Sequence, residues 1–321
     1  MVDQAEVFLQ QAGLAEGRSP LYAAIWRRLA EDPEVAEIIG EPTWDSPLRL
    51  AAGLHYLVLS GEASWDETDE ALTSHRDFLS TWVARQGVQT NEVQRCWMLL
   101  PCFLRAAERT GAREFRLVEI GPAAGLNLVW DRYRYSYADG DWGLAAADLA
   151  LTGEERRPVP TEILALRPVV RSRVGIEINP IDVLSDEGAL LLKSFVWADQ
   201  TWRLDQLDRA IAAVRRDPPD LIDGDAASTL PTILAEHDPD VLTVVWQTAV
   251  LGYLPAERRQ LVRDALEQAG ATRPLAYVEA ARPSDGSHAH YGLWLQLWPG
   301  GSREELALAE HHGAWLDWIA T

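Results

Sequence analysis

Apolar positions in the first third of the chain recur every three or four residues, the period of an amphipathic helix. After Ser19-Pro20, the residues Leu21, Ile25 and Leu29 share one face. Serine followed by proline is a helix start, because the hydroxyl can cap free N–H groups and the ring fits the first turn. Ser46-Pro47 repeats this signal before a second predicted helix at 48–59. Residues 68–85 and 91–109, the latter closed by Gly111, give a third and a fourth. From residue 115 the texture changes to short apolar runs between helical stretches. The runs predict strands at 116–120, 174–178, 220–223, 241–246, 275–280 and 291–297. Helices are predicted at 187–197, 200–215, 229–236, 255–268 and 304–319.

Strands alternating with helices argue for right-handed crossovers and a mostly parallel sheet. A polar, glycine-containing loop at 282–290 makes the last strand a hairpin partner, hence antiparallel. Between Gly125 and Glu177 the chain is far longer than one helix and a loop require. There Tyr133, Tyr135 and Tyr137 alternate, Asp139-Gly140 is a turn signal, and 156–160 is extended and proline-rich. This predicts an inserted hairpin or lid at about 133–173. The expected division is a helical domain at 1–112 and an α/β domain at 113–321.

Composition narrows the partners. The chain has 321 residues, 47% of them hydrophobic, enough for a sizeable core. Lys plus Arg number 29 against 49 Asp plus Glu, a net charge of −20. Such a charge repels phosphate backbones and anionic membranes, so neither nucleic acid nor membrane is an expected partner. Cys96 and Cys102, six apart and without a ligand cluster, are expected to be buried free thiols in a reducing compartment. The N-terminal residues carry acids and glutamines where a signal peptide needs a charged end and an apolar run. A cytoplasmic location is therefore expected. The pairs His288/His290 and His311/His312 complete no recognised metal spacing and are read as solvent histidines.

The stretch Leu117-Val118-Glu119-Ile120-Gly121-Pro122-Ala123-Ala124-Gly125-Leu126-Asn127 concentrates the candidate chemistry. Strand, glycine turn and helix start are how an open α/β sheet brings backbone N–H groups to a ligand. Ala123 holds the middle place of a G-x-G-x-G spacing, and Glu119 supplies an acid just before the turn. A purely structural turn uses glycine too. Three more strand tips carry acids or amides. Glu177, followed by Ile178 and Asn179, could accept both hydrogen bonds of a ribose diol. Asp225 could hold an exocyclic amine beside the small Ala226. Trp246-Gln247-Thr248 ends the next strand, where a substrate would face a cofactor. The competing reading is that such acids merely cap the following helices.

Several of these motifs together resemble the domain-of-unknown-function family 2332. They are Gln89-Thr90-Asn91-Glu92, Glu119-Ile120-Gly121 through Gly125-Leu126-Asn127-Leu128, and Trp130-Asp131-Arg132-Tyr133. Gly175-Ile176-Glu177-Ile178-Asn179-Pro180 and Leu251-Gly252-Tyr253-Leu254-Pro255 complete the set. The C-terminal part of that family resembles class I S-adenosylmethionine-dependent methyltransferases. The resemblance implies a Rossmann-like fold with S-adenosylmethionine as cofactor. Gly121, Ala123 and Gly125 would pass under its methionine portion, with Asn127 beyond them. Glu119 would sit near its amino group, Glu177 and Asn179 at the ribose, and Asp225 with Ala226 at the adenine. The resemblance also implies a histidine where this chain has Gln247, and an amide cannot take a proton.

The leading expectation is a methyltransferase for a small-molecule acceptor. Glu92, Asp131 and Tyr253 are the remaining base candidates, with Gln247 at the expected catalytic position. Thr90, Asn91 and Arg95 could hold the cofactor carboxylate or the acceptor, although Glu92 and Arg95 could equally form a surface pair. Most of the 14 Trp residues are expected in the core. Trp130, Trp142 and Trp246 are expected at the cleft. Two alternatives stay open: a non-catalytic binding or scaffold protein of the same fold, and a nicotinamide-dependent oxidoreductase.

Overall fold

The structure, a computed structural model, describes residues 3–89, 91–236 and 238–320. Helices α1 (Gln4–Ala15), α2 (Pro20–Leu29), α3 (Pro33–Ile39) and α4 (Ser46–Ser60) come first. α5 (Thr68–Ser74), α6 (Arg76–Arg85) and α7 (Arg95–Thr110) lead to strand β1 (Glu114–Ile120). Four short strands follow: β2 (Arg134–Tyr137), β3 (Gly140–Gly143), β4 (Ala150–Thr152) and β5 (Glu154–Arg157). After the turn α8 (Thr161–Leu164) come β6 (Val169–Glu177), α9 (Asp186–Ser194), α10 (Thr201–Arg216) and β7 (Asp220–Asp223). α11 (Ala226–Ala235), β8 (Leu242–Thr248), α12 (Val250–Tyr253), α13 (Ala256–Gly270) and β9 (Leu275–Ala281) continue the alternation. The chain closes with β10 (Tyr291–Trp298), β11 (Ser302–Ala309) and β12 (Trp315–Trp318).

Contacts divide the chain into two compact units. One joins 1–90 to 181–208, and the other joins 91–180 to 209–321. This differs from the division expected at 112: α7 belongs with the sheet, because its residues from Cys96 to Ala107 are almost all buried there. The helical unit has its own core, built on Phe8, Trp26, Leu29, Val35, Leu50 and Leu79. The start signal at Ser19 works as expected, its hydroxyl accepting from Tyr22 N at 3.1 Å. The helix predicted over 68–85 breaks at His75 into two.

The second unit is built on a nine-stranded sheet in the order β5-β12-β11-β10-β9-β8-β1-β6-β7. The five strands from β9 to β7 run parallel. The fold is thus mixed α/β with a large, mostly parallel central sheet. β10 joins β9 antiparallel, as the 282–290 loop predicts. One element is corrected. The helix predicted at 304–319 is instead the strand pair β11 and β12. Glu304, Glu305, Leu306, Ala307 and Leu308 favour helix locally. However, Gly300 and Gly301 turn the chain back and β10 offers an open edge, so seven register pairs form from Tyr291↔Ala309 to Leu297↔Ser302.

The long insertion contains the expected hairpin, β2 with β3, to which β4 adds in parallel. Its aromatic residues point inward: Tyr133 and Tyr135 are fully buried, and Tyr137 stacks on Trp97 of α7. The Tyr137 hydroxyl donates to the Trp97 carbonyl at 2.6 Å. Among the described residues no helix is long and apolar enough to cross a membrane.

Candidate ligand site at the carboxyl edge of the parallel strands

From β1 the chain runs outward to β6 and β7, then returns to the other side of β1 for β8 and β9. The direction of winding therefore reverses beside β1. In open α/β sheets the crevice outside the strand ends at such a reversal is where ligands bind. Side chains alternate between sheet faces. Val118 and Ile120 join the core beneath α11 and α13. Glu119 therefore faces the opposite side, level with Gly175 of β6 and Trp246 of β8.

The glycine turn after β1 is held by side chains rather than left bare. Gly121 and Gly125 have φ of +74° and +78°, and Ala123 also lies in the left-handed region at 53°. A Cβ at Gly121 would come 2.4 Å from Val250 Cγ2, and one at Gly125 would come 2.8 Å from Pro219 Cγ. Protein packing alone thus requires both glycines. The Ala123 amide donates to Glu177 Oε2 at 2.9 Å. Asn91 Oδ1 accepts from Ala124 at 3.3 Å and from Leu126 at 3.1 Å. The Gly121 and Gly125 amides donate to the carbonyls of Ile176 and Pro122. Glu177 Oε1 accepts from Ile178 at 2.9 Å and from the exposed Asn179 at 3.4 Å.

Beneath this turn Glu119 is 2% exposed, and among the described residues its Oε2 has no hydrogen-bond partner. Burial, the largest cause, pushes its carboxyl up to about 8, and the Glu177 charge adds repulsion. The Trp246 indole and the Arg95 guanidinium offset part of that rise. Arg95 begins α7, where its Nε donates to the His311 carbonyl at 3.0 Å and its Nη1 to Thr248 Oγ1 at 3.2 Å. Glu92, just ahead of it, is 5% exposed.

The crevice therefore gathers Asn91, Glu92, Arg95, Glu119, Gly121, Ala123, Gly125 and Glu177. Other predicted residues lie elsewhere or are otherwise engaged. Thr90 falls outside the described residues. Asp131 binds Arg173 through both oxygens at 2.9 and 2.7 Å, so it is a structural anion rather than an available base. Trp130 and Trp246 have no exposed surface and pack on Phe103, while Trp142 packs on Trp130. They are core residues and do not wall a cleft. Gln247 lies on the α13 face, where its Nε2 is 3.5 Å from Glu279 Oε2. Every residue of β8 is buried, so alternation along the sequence gave no sign of its face.

Asp225 caps α11, its Oδ1 accepting from Ser228 N at 3.2 Å, and Ala226 is the first residue of that helix. Asn127 accepts from the Cys96 thiol at 3.2 Å within the core. Both cysteines are buried and free, as expected. Tyr253 is 75% exposed. Sequence reasoning missed the loop between β11 and β12, which β11's direction carries to this same edge. Recognising the strand at 302–309 would have placed it there.

No curated protein matches the chain. Among solved structures, one titled "Crystal Structure of SCL7 in Oryza sativa" is 14% identical, with 88% of this chain and 65% of that chain covered. The chain spans only that 65% of its length, and the TM-score of 0.27 is too low to carry an argument. The sequence itself matches, over residues 5–318, the family described as "Uncharacterized protein conserved in bacteria (DUF2332)", and the chain belongs to that family.

Proposed function

We propose that the protein is an S-adenosylmethionine-dependent methyltransferase acting on a small-molecule acceptor. The observation that carries this reading is the chemistry of the crevice: oxygen acceptors face it, and the turn's amide donors are already used. A buried Glu119 oxygen without a partner suits an ammonium group. Glu177 could exchange its Ile178 and Asn179 bonds for two ribose hydroxyls, and Arg95 lies within the same frame for a carboxylate. A sulfonium and an ammonium are cations, and beside them the Glu119 carboxyl, raised by burial, would give up its proton and pair with the charge. The strand order β7-β6-β1-β8-β9 is the one expected of a Rossmann-like sheet of the methyltransferase type.

When bound, the sulfonium supplies an electrophilic methyl group; the chain's part is to hold the acceptor in line and exclude water. A dinucleotide places different demands on the site. Its pyrophosphate needs bare N–H groups, and it would meet the oxygens of Glu177 and Asn91 instead. This weighs against the nicotinamide-dependent reading. A non-catalytic binder of the same fold is favoured by one observation, the side chains of Val250 and Pro219 filling the space before the two glycines.

Thermal unfolding separates these readings, since a ligand that binds only the folded state raises Tm by mass action. S-adenosylhomocysteine is expected to raise it and a nicotinamide dinucleotide to leave it unchanged. The reverse result would overturn the proposal. Transfer of label from the methyl donor to a metabolite extract separates the enzyme from the binder.

A further inference from the structure

The loop between β11 and β12 carries Glu310, His311, His312 and Gly313. β11 runs antiparallel to β10, which runs antiparallel to β9, so this loop leaves the sheet at the edge where the parallel strands end. It is clamped onto the segment before α7. Gln94 Nε2 donates to the Gly313 carbonyl at 3.2 Å, and Arg95 Nε donates to the His311 carbonyl at 3.0 Å. Gly313 has φ of +84°, and a Cβ there would lie 2.6 Å from the Gln94 carbonyl oxygen. The same segment reaches the glycine turn through Asn91. His312 is thereby fixed within the frame of the crevice.

Its ring is two-sided. Nδ1 is shielded from solvent and lies 3.5 Å from Glu92 Oε2, a carboxylate only 5% exposed. The side chain as a whole keeps 44% exposure. A carboxylate behind Nδ1 would favour the proton on that nitrogen and leave the Nε2 lone pair open. We infer that His312 is the general base of this site, with Glu92 as its positioning residue. The inference rests on the proposed methyl transfer. In the step, the acceptor's lone pair forms a bond to the donor's methyl carbon, and the carbon–sulfur pair stays on sulfur. The acceptor's proton passes to His312 Nε2, the Glu92 carboxylate offsets the new positive charge, and the proton then leaves to water. The arrangement provides the base that an amide at Gln247 cannot be.

Other charged and titratable groups meet the ring's surroundings: Glu310, whose Oε2 accepts from the His312 amide at 2.7 Å, His311, Arg95, and Tyr291, whose ring lies 4.4 Å from that of His311. Nitrogen-resolved NMR on the full chain reads the dyad directly. The expected spectrum shows the Nδ1–H tautomer at His312. Glu92→Gln moves the ring toward the Nε2–H tautomer, and Glu92→Asp restores most of the Nδ1–H form. Label transfer should fall at least about a hundredfold in His312→Gln, with the Tm rise in S-adenosylhomocysteine retained. An unchanged tautomer in Glu92→Gln would overturn the dyad whatever the ligand does, and so would full label transfer by His312→Gln. If wild type shows no Tm response while the tautomer behaves as expected, the dyad stands and the methyltransferase reading fails.

Discussion

Two glutamates lie buried in the central sheet, on opposite faces, and they are treated differently. Glu279 of β9 is 6% exposed and fully engaged: Arg303 Nη2 donates to its Oε1 at 2.7 Å, and the Tyr277 hydroxyl reaches its Oε2 at 3.3 Å. Gln247 adds a longer contact. Glu119 of β1 is as deeply buried, yet among the described residues its Oε2 has no hydrogen-bond partner. A satisfied buried carboxylate is explained by the fold. An unsatisfied one costs stability and calls for another explanation. The difference teaches that burial of an acid marks a ligand site only when the protein leaves its hydrogen bonding incomplete.

The largest test of that contrast is the pH dependence of stability. In the folded chain the Glu119 carboxyl is pushed up to about 8; in the unfolded chain it loses its proton at about 4.3. The folded state therefore binds more protons in that window, so this group's contribution to stability falls as pH rises through it. Glu119→Gln removes a slope worth on the order of 5 kcal/mol across the window. Urea denaturation at several pH values measures it, and an unaltered slope would show that the burial argument is wrong. Glu279→Leu, by contrast, should destabilise by about 2 kcal/mol at neutral pH. It strands Arg303, whose own exposure softens the loss.

Smaller effects sharpen the picture at the strand tips. Glu177→Ala should weaken S-adenosylhomocysteine about tenfold, roughly 1.4 kcal/mol, read by calorimetric titration. An unchanged affinity would confine Glu177 to holding the Ala123 amide. Asp225→Ala should lower stability by about 1 kcal/mol through loss of the α11 cap. If ligand affinity falls as well, Asp225 serves the ligand in addition to the helix.

Much of this was legible along the chain. The strand before Gly121, the acid at the tip of β6 and the alternation of strands and helices all follow from local patterns of hydrophobicity and turn residues. The site was legible in part. Glu119, Arg95 and Glu177 meet at the crevice, whereas Asp131 was claimed by Arg173 from a distant strand. Gln247 lies in a strand buried on both faces, which hides the direction of each side chain. The pair His311/His312 reads as solvent histidines along the chain, because a helix over 304–319 does not bring it to the strand tips, whereas the β11–β12 pairing does.

By itself, then, the sequence determined where the chain turns, which segments are apolar enough to be covered, and which acids stand at strand ends. Those properties depend on neighbours a few residues away. Only the tertiary structure decided that residues 302–309 pair with β10, that Glu119 Oε2 finds no hydrogen bond among the described residues, and that Glu92 stands behind His312. Each of these depends on groups far apart in the chain, and whether a strand edge is open or a buried oxygen is satisfied is set by what packs there.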